Sequence, residues 1–330
     1  MTRSAFSRVR RSLAVWGTLA AMVPMGSALA QSAYPSRPIT LIHPYAVGGP
    51  ADGLARTLAR QLESRLKQTV IVEGKPGGGA TIGTGFVARA KPDGYTLLIS
   101  TSAGHVVTPL MQKIPYDGVA DFAFIAIVAN QPNVVVAHPS LPANNLTELI
   151  ALARKEPGKY NYASAGTGGA THLGAEALWQ KAGVQITHIP YAGAAPALKD
   201  LLGGQVLVGN LNLAATRAHI EKGTLKGLAY GGAQRAPSLP NVPTVAESGL
   251  GGSEVPSWYS LAAPAGTPKD VMETLAKVMA EINADPAYLS FLDSQGAERM
   301  DLNPAQTTEF IRRDKAAMVA LLGALNLVGK

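Results

Sequence analysis

The sequence predicts an α/β protein with largely parallel sheets, divided into two domains. Short apolar runs of strand character alternate with helical patterns from about residue 39 onward, which is typical of parallel sheets whose helices lie between successive strands. The chain has 330 residues, and this length is enough for two domains that each bury a core. Because it has no cysteine, disulfides and thiolate chemistry are excluded.

The clearest element is a strand, loop and helix near the beginning of the chain. The apolar run Ile39 to His43 predicts a strand, and the segment Pro50 to Lys67 predicts a helix. Pro50 suits the first helical position, and Asp52 lies in the first turn, where a carboxylate complements the helix dipole. The buried stripe of this helix recurs every four residues at Leu54, Leu58, Leu62 and Leu66.

Further strands follow with helices between them. They are expected at Val70 to Val72, Tyr95 to Ser100, Phe124 to Val128, Val134 to Ala137, Tyr160 to Ala163, Ile186 to His188, Val206 to Asn210 and Leu225 to Tyr230. The last third is expected to be mostly helical, with helix starts at Thr267 to Asp270 and Asn303 to Gln306. Ligands of such sheets lie beyond the carboxyl ends of the strands.

Two stretches of strand character flanked by loops mark the domain boundary. They are Asn133 to His138 and Val255 to Pro264, and two crossings imply that one domain is inserted into the other. The expected division is a first domain of residues 34–133 and 265–330, an inserted second domain of residues 139–254, and hinge crossovers at 134–138 and 255–264.

The first thirty residues have the pattern of a secretory signal peptide. Arginines precede the apolar run Leu13 to Val23, and Ala28-Leu29-Ala30 forms a small-x-small cleavage site. We therefore expect a periplasmic protein whose signal peptide is residues 1–30. Arg10-Arg11 is similar to a twin-arginine signal, but its surroundings fit that pattern poorly and favour general secretion.

The charge of the chain excludes a nucleic-acid partner. Removal of residues 1–30 takes away four arginines and no acid, so the formal charge falls from +7 to +3. A surface of that charge over some 300 residues lacks the dense basic stripe that nucleic-acid binding requires.

The short patterns in the sequence that are similar to catalytic or cofactor-binding motifs lack the sequence surroundings that such motifs need. Gly83 to Ala88 matches a dinucleotide-binding pattern but lies inside a helical pattern. Ser102 and Ser164 lack the preceding glycine of a nucleophile elbow. There is no Walker A sequence, and the six histidines have no metal-ligand spacing. We expect no enzymatic activity, no cofactor and no metal.

Two glycine-rich loops carry the functional prediction. His43 to Asp52 and Ser164 to His172 each lie between a strand pattern and a helix pattern. Because glycine has no Cβ, a ligand can approach the main chain there, and the helix that follows adds unpaired N–H donors and a partial positive charge. Neither loop contains arginine or lysine, so N–H dipoles are expected to neutralise one anion. The loops indicate a receptor for an organic acid.

A series of motifs resembles the periplasmic solute receptors of tripartite tricarboxylate transporters, the Bug family, over nearly the whole chain after residue 30. These motifs are His43 to Asp52, Glu73 to Gly79, Lys91 to Leu98, Pro115 to Asp117 with Asp121-Phe122, His188 to Gly193, Asp200 to Val206, and Ser257 to Tyr259. The resemblance implies a two-lobed, type II periplasmic binding-protein fold that closes on a small organic carboxylate. It also implies transfer of the ligand to a membrane permease of two further subunits.

On this resemblance the ligand contacts come from both loops and from residues after neighbouring strands. In the first lobe they are Tyr45, Ala46, Gly48, Gly49, Asp52, Ser102 and His105, and in the second Ala165, Gly166, Thr167, Gly168, Thr171, His172, Asn210 and Asn212. Alternatives stay open for several of them. Asp52 can serve only as a first-turn charge, and His105 and His172 can be core or cap residues. Tyr191 and Trp258 are expected to pack rather than touch ligand.

The sequence departs from the family at Leu207 and Leu211, where many relatives carry aspartate. A carboxylate that might receive an amino group is therefore missing, and this favours a plain carboxylic acid over an amino acid. With Leu211 near the site, the rest of a mono-, di- or aromatic carboxylate is expected to be apolar. A monomer is expected. The alternative function is a ligand-presenting partner of a sensor kinase, which the sequence does not separate from uptake.

Overall fold

The computed structural model describes residues 34–255 and 257–328. The expected signal peptide at residues 1–30 lies outside them. In the described part of the chain, no helix is long and apolar enough to cross a membrane.

The first lobe is built on a five-stranded sheet. Its strands are β1 (Ile39–His43), β2 (Val70–Gly74), β3 (Thr96–Thr101), β4 (Phe122–Gln131) and β10 (Ser257–Pro264), in the order β2-β1-β3-β10-β4. β1 pairs in parallel with β2 and β3, whereas β10 is antiparallel to both β3 and β4.

The second lobe repeats this plan. Its strands are β5 (Asn133–Ala137), β6 (Asn161–Ser164), β7 (Thr187–Pro190), β8 (Val208–Asn212) and β9 (Lys226–Tyr230), in the order β7-β6-β8-β5-β9. β6 pairs in parallel with β7 and β8, and β5 is antiparallel to β8 and β9. In each sheet the fourth strand is antiparallel to both of its neighbours, and it is the strand that arrives from the other lobe, β5 directly after β4 and β10 after β9. Both sheets are therefore mixed, and the two-lobed α/β fold class is confirmed.

Helices cover both sheets. They are α1 (Pro50–Leu66), α2 (Thr81–Ala88), α3 (Thr108–Met111), α4 (Leu146–Lys155), α5 (Ala170–Ala182), α6 (Ala194–Leu202), α7 (Leu213–Glu221), α8 (Lys269–Asn283), α9 (Pro286–Ser294) and α10 (Pro304–Ala324). A 3₁₀ turn at Gly78–Ala80 precedes α2, and a π-helical turn at Ala103–Val107 follows β3.

The cores lie on both faces of each sheet, as strand alternation requires. In β1, Leu41 packs into a cluster with α1 and α8, while its neighbour Ile42 packs into the opposite cluster with α10. In β5, Val135 and Val136 divide between the two second-lobe clusters in the same way. Because both faces of these strands are buried, their sequences are continuous apolar runs.

The helix starts follow their local sequence. Pro50 is the first residue of α1, and Leu54, Leu58, Leu62 and Leu66 form its buried stripe as predicted. Asn303 forms a complete capping box with Gln306 at the start of α10. The helix start predicted at Thr267 to Asp270 is present as α8, but it has no side-chain cap, because α8 begins after Pro268 and the Thr267 hydroxyl donates to the Pro264 carbonyl.

Candidate functional site

The candidate site is a cavity between the two lobes with a volume of about 50 Å³. One ordered water needs roughly 10–15 Å³ of such volume, so the cavity is several times larger than one water requires. First-lobe segments after β1 and β3 form one wall, and second-lobe segments after β6 and β7 form the other. The cavity therefore lies beyond the carboxyl ends of parallel strands, where ligands of α/β sheets bind.

Three helices begin at this cavity. Pro50 of α1, Ala170 of α5 and Ala194 of α6 all line it. Among the described residues, the backbone N–H groups of Ala51, Ala170 and Ala194 have no protein acceptor. Each helix start carries about half a positive unit charge. Together they can balance the charge of one carboxylate.

Of the described residues that line the cavity, none carries a charged side chain. The lining combines small residues with Tyr45, Tyr191 and Trp258, which supply apolar area, and with the hydroxyls of Ser102 and Thr171. The arrangement suits an anion that is held by N–H donors rather than by a guanidinium or an ammonium group.

Asp52 holds the first glycine loop from behind. Its carboxylate accepts the Gly48 N–H at 3.1 Å, the Arg56 Nε–H at 3.0 Å and a bond from His43 Nε2 at 3.2 Å. Burial raises the pKa of Asp52, but the bonds from Arg56 and Gly48 outweigh it and keep the pKa below its usual value. The carboxylate is thus ionised and fully engaged in fixing the loop, with Gly48 at φ +87°.

Histidines hold the second glycine loop in a related way. His172 Nδ1 accepts the Gly168 N–H at 3.2 Å, and His188 Nε2 lies 2.7 Å from Ser164 Oγ, which in turn accepts the Gly166 N–H at 3.1 Å. The two rings stack with their centroids 4.0 Å apart.

The stacked histidines are neutral. Burial lowers the pKa of His172 to about 4 and, together with the neighbouring His172, lowers that of His188 to about 3. A neutral ring is required, because His172 Nδ1 can accept an N–H only when it is unprotonated. Both loops therefore tether a glycine N–H to the side chain four residues later, Asp52 in one and His172 in the other.

Polar groups support the first-lobe wall on the side that faces away from the cavity. Ser102, which follows β3, donates its hydroxyl to Asp314 Oδ2 of α10 at 2.7 Å. Tyr45 and Thr101 share a hydroxyl bond of 2.6 Å. The indole N–H of Trp258 is buried and has no partner of hydrogen-bonding geometry among the described residues.

The lobes touch across the cleft through main-chain atoms. The Ala46 N–H donates to the Ala192 carbonyl at 2.9 Å. A β-carbon at Gly79 would lie 2.7 Å from the Thr167 carbonyl oxygen, and one at Gly193 would lie 3.2 Å from Ala46 N. These approaches require glycine, and they describe a closed cleft.

Most of the predicted ligand contacts line the cavity. They are Tyr45, Ala46, Gly49, Ser102, Ala165, Gly166, Thr167, Thr171 and Asn212. The other predicted residues, Gly48, Asp52, His105, Gly168, His172 and Asn210, do not line it.

The six that do not line it support those that do. Gly48, Asp52, Gly168 and His172 make the loop tethers, and the Asn210 side chain donates to the Thr171 carbonyl at 2.8 Å. His105 lies in the core between the Gly118 carbonyl and Ser260, with its ring stacked on Trp258. Leu211, expected near the ligand, is fully buried in the second-lobe core and does not line the cavity.

Sequence reasoning missed two further segments of the wall. Gly77 to Ala80 contributes from the first lobe, and Tyr191 to Ala194 contributes from the second and contains the start of α6. Tyr191 and Trp258, both expected to pack, also line the cavity. The glycines at 77–79 and 193 were a usable signal, because each lies in a short glycine-containing loop before a helix, as the two recognised loops do.

Among the residues that the structure describes, no group of three or more histidine, aspartate or glutamate side chains could hold a metal ion.

Comparison with known proteins gives consistent matches. Residues 54–327 match the family described as "Tripartite tricarboxylate transporter family receptor". Protein BugT of Bordetella pertussis is 36% identical over 303 residues, which cover 91% of this chain and 93% of BugT. The structure of periplasmic binding protein BugD is 37% identical, with a TM-score of 0.86, 90% of this chain covered and all of BugD.

Two solved structures from Rhodopseudomonas palustris contain named acids. Rpa4515 with adipate is 31% identical with a TM-score of 0.87, covering 90% of this chain and 100% of that one. MatC with bound malate is 27% identical with a TM-score of 0.83, covering 88% of this chain and 100% of that one.

Proposed function

Because the chain belongs to the tripartite tricarboxylate transporter receptor family, we propose that it binds a small organic carboxylate in the cleft between its lobes. The family consists of non-enzymatic solute receptors, and its members are periplasmic binding proteins. The observation that carries the proposal is the meeting of three helix starts at one cavity whose described lining has no charged side chain.

The ligand charge is met by main-chain donors. One carboxylate accepts N–H bonds from the starts of α1, α5 and α6, and the tethers through Asp52 and His172 keep the glycine loops in position before the ligand arrives. Adipate and malate, bound by the two related proteins from R. palustris, carry carboxylates of the kind that such donors bind.

Binding drives closure of the lobes. A ligand that contacts both walls binds the closed form better than the open form, and only that difference in affinity shifts the equilibrium. The lobes move about the crossovers at residues 134–138 and 255–264. The Ala46 to Ala192 bond and the glycine contacts form as the cleft closes.

The closed receptor delivers its acid, as a periplasmic monomer, to a membrane permease of two subunits. Delivery is the finer part of this proposal. It is tested by measuring uptake of a labelled acid in cells that carry the neighbouring permease genes, with and without this chain. Binding of the acid without any effect on uptake, together with docking to a sensor kinase, assigns the protein to signalling instead.

The binding step is tested by thermal-shift screening of the purified protein against mono-, di- and aromatic carboxylates, followed by calorimetry. A ligand that binds only the folded form raises the melting temperature with its concentration. At least one acid is expected to do so with unit stoichiometry and without being converted. Product formation, or the absence of binding across all three classes, overturns the proposal.

A further inference from the structure

Behind the first-lobe wall lies a carboxyl group that the binding of an anion does not use. Asp314 of α10 lies directly behind Ser102 and accepts its hydroxyl hydrogen at 2.7 Å. It is half-buried, and among the described residues it forms no salt bridge. Burial raises the pKa of Asp314, while the bond from Ser102 and the approach of the Trp258 side chain lower it in part.

The Ser102 hydroxyl donates to a carboxyl oxygen of Asp314, and that oxygen can only accept. The hydroxyl hydrogen of Ser102 is therefore directed away from the cavity, toward α10. What Ser102 presents to the cavity is its oxygen lone pairs, which donation of the hydroxyl hydrogen makes better acceptors. A bare carboxylate or an alkyl group placed against Ser102 gains no hydrogen bond.

Thr171 in the opposite wall shows the reverse polarity. Its Oγ1 accepts the Ala165 N–H at 3.1 Å, so its own hydrogen is free to point at the ligand. The second-lobe wall therefore offers donors from Thr171 and the α5 start, and the first-lobe wall offers an acceptor at Ser102. The two walls are therefore suited to bind two different groups of one ligand.

We propose that Ser102, positioned by Asp314, determines specificity by accepting a hydrogen bond from a ligand hydroxyl, so that the preferred ligand is a hydroxycarboxylic acid. This rests on the proposed function, since it concerns a second group of the same acid. A hydroxyl fits better than an ammonium group for two reasons. The three helix starts make the cavity positive, and Asp314 does not itself reach the lining, so an ammonium group finds no direct counter-charge.

The test compares matched acids that differ only in one substituent. Calorimetry on the intact protein uses propionate with lactate, succinate with malate, and benzoate with 4-hydroxybenzoate, together with alanine and aspartate as amino counterparts. In at least one pair the hydroxy acid is expected to bind about tenfold or more tightly than its parent, as one hydrogen bond to a charge-assisted acceptor provides.

Two variants separate this role from a structural one. Ser102→Ala and Asp314→Asn are both expected to bring the affinity ratio of the hydroxy acid to its parent close to one. The readout is this affinity ratio rather than the affinity for either acid alone, and a cooperative thermal melt near that of the unaltered protein shows that each variant is folded. Asp314→Asn acts because its amide can donate to Ser102 and leave the serine hydrogen free for the cavity.

Ser257 provides the matched control. It also lines the cavity, but no carboxyl group accepts a bond from its side chain among the described residues, so Ser257→Ala should change both affinities by the same factor. Parent acids that bind as well as or better than their hydroxy partners overturn this inference and leave the proposed function standing. A preference for the amino acids also overturns it. Absence of binding by every acid removes the proposed function, and this inference with it.

Discussion

Gly79 of the first lobe lies so close to Thr167 of the second that a β-carbon at Gly79 would stand 2.7 Å from the Thr167 carbonyl oxygen. Since that oxygen belongs to the main chain, it cannot rotate away as a side chain can. The lobes can approach this closely only because residue 79 has no side chain. Closure of the cleft therefore depends on a glycine at this position.

Gly79→Ala should therefore weaken ligand binding by holding the lobes apart. The affinity for the best acid is expected to fall at least about tenfold, the effect of losing roughly 1.4 kcal/mol of closed-state contact. Gly158→Ala is the matched control. Its φ of +76° imposes a similar backbone strain to the +61° of Gly79, but an added β-carbon there meets nothing within 4 Å.

Gly158→Ala should lose about 1 kcal/mol of stability to urea, the usual cost of a non-glycine residue in the left-handed region. Gly79→Ala should lose more, because its β-carbon would also lie 2.9 Å from Thr108 Oγ1 in its own lobe. Only Gly79→Ala should lose affinity by calorimetry. Equal affinities for the two variants would show that the contact between Gly79 and Thr167 has no part in binding.

Asp52→Ala should weaken binding although its carboxylate does not line the cavity. The change leaves the Gly48 N–H and the buried His43 ring without their acceptor, which costs about 1–3 kcal/mol in stability. The released loop should bind the acid roughly tenfold more weakly. Asp270→Ala is the control, because Asp270 also lies in the first turn of a helix, α8, far along the chain from either glycine loop. A gain of affinity in Asp52→Ala would mean that its charge repels the ligand directly.

His172→Leu should loosen the second glycine loop, because leucine cannot accept the Gly168 N–H. We expect a loss of affinity of about tenfold, in line with one buried donor left unpaired. His172→Asn offers an amide oxygen as a replacement acceptor and should bind more tightly than His172→Leu. Identical calorimetric affinities for these two variants would show that the bond from the Gly168 N–H to His172 does not position the loop for binding.

His105 should make the protein less stable in acid. Burial lowers the pKa of His105 to about 4, and the bond to the Gly118 carbonyl opposes this only in part, whereas an unfolded histidine titrates near pH 6.5. Because the unfolded chain binds the proton first, stability is intact above about pH 6.5. It then declines as the pH falls toward 4, by about 3 kcal/mol from this ring.

Urea unfolding between pH 8 and pH 4 measures this slope. His105→Gln should be less stable at pH 8 but should have a shallower decline below pH 6.5 than the unaltered protein. A slope that His105→Gln does not alter would assign the acid sensitivity to other groups, with His172 and His188 the next to change.

The local sequence determined the α/β class and the helix starts at Pro50 and Asn303. It also determined the position of both glycine loops, since strand alternation, capping residues and glycine act over a few residues of chain. The site residues that the family resemblance predicted divide in the same way. Residues in the loops themselves, such as Gly49 and Thr167, line the cavity, whereas His105 after β3 and Asn210 within β8 turn into the protein. The direction of a side chain after a strand depends on what packs above it.

Only the tertiary structure decided which distant segments meet. Gly79 against Thr167, the start of α6 beside the starts of α1 and α5, and Asp314 behind Ser102 join residues that lie from tens to more than two hundred positions apart. No local pattern encodes such a pairing, because it arises from the packing of whole sheets and helices. The sequence by itself predicted that amide donors at two glycine loops face one anion. The folded chain decided how many helix starts converge there, and that the half-buried carboxyl of Asp314 accepts the Ser102 hydroxyl hydrogen behind the cleft.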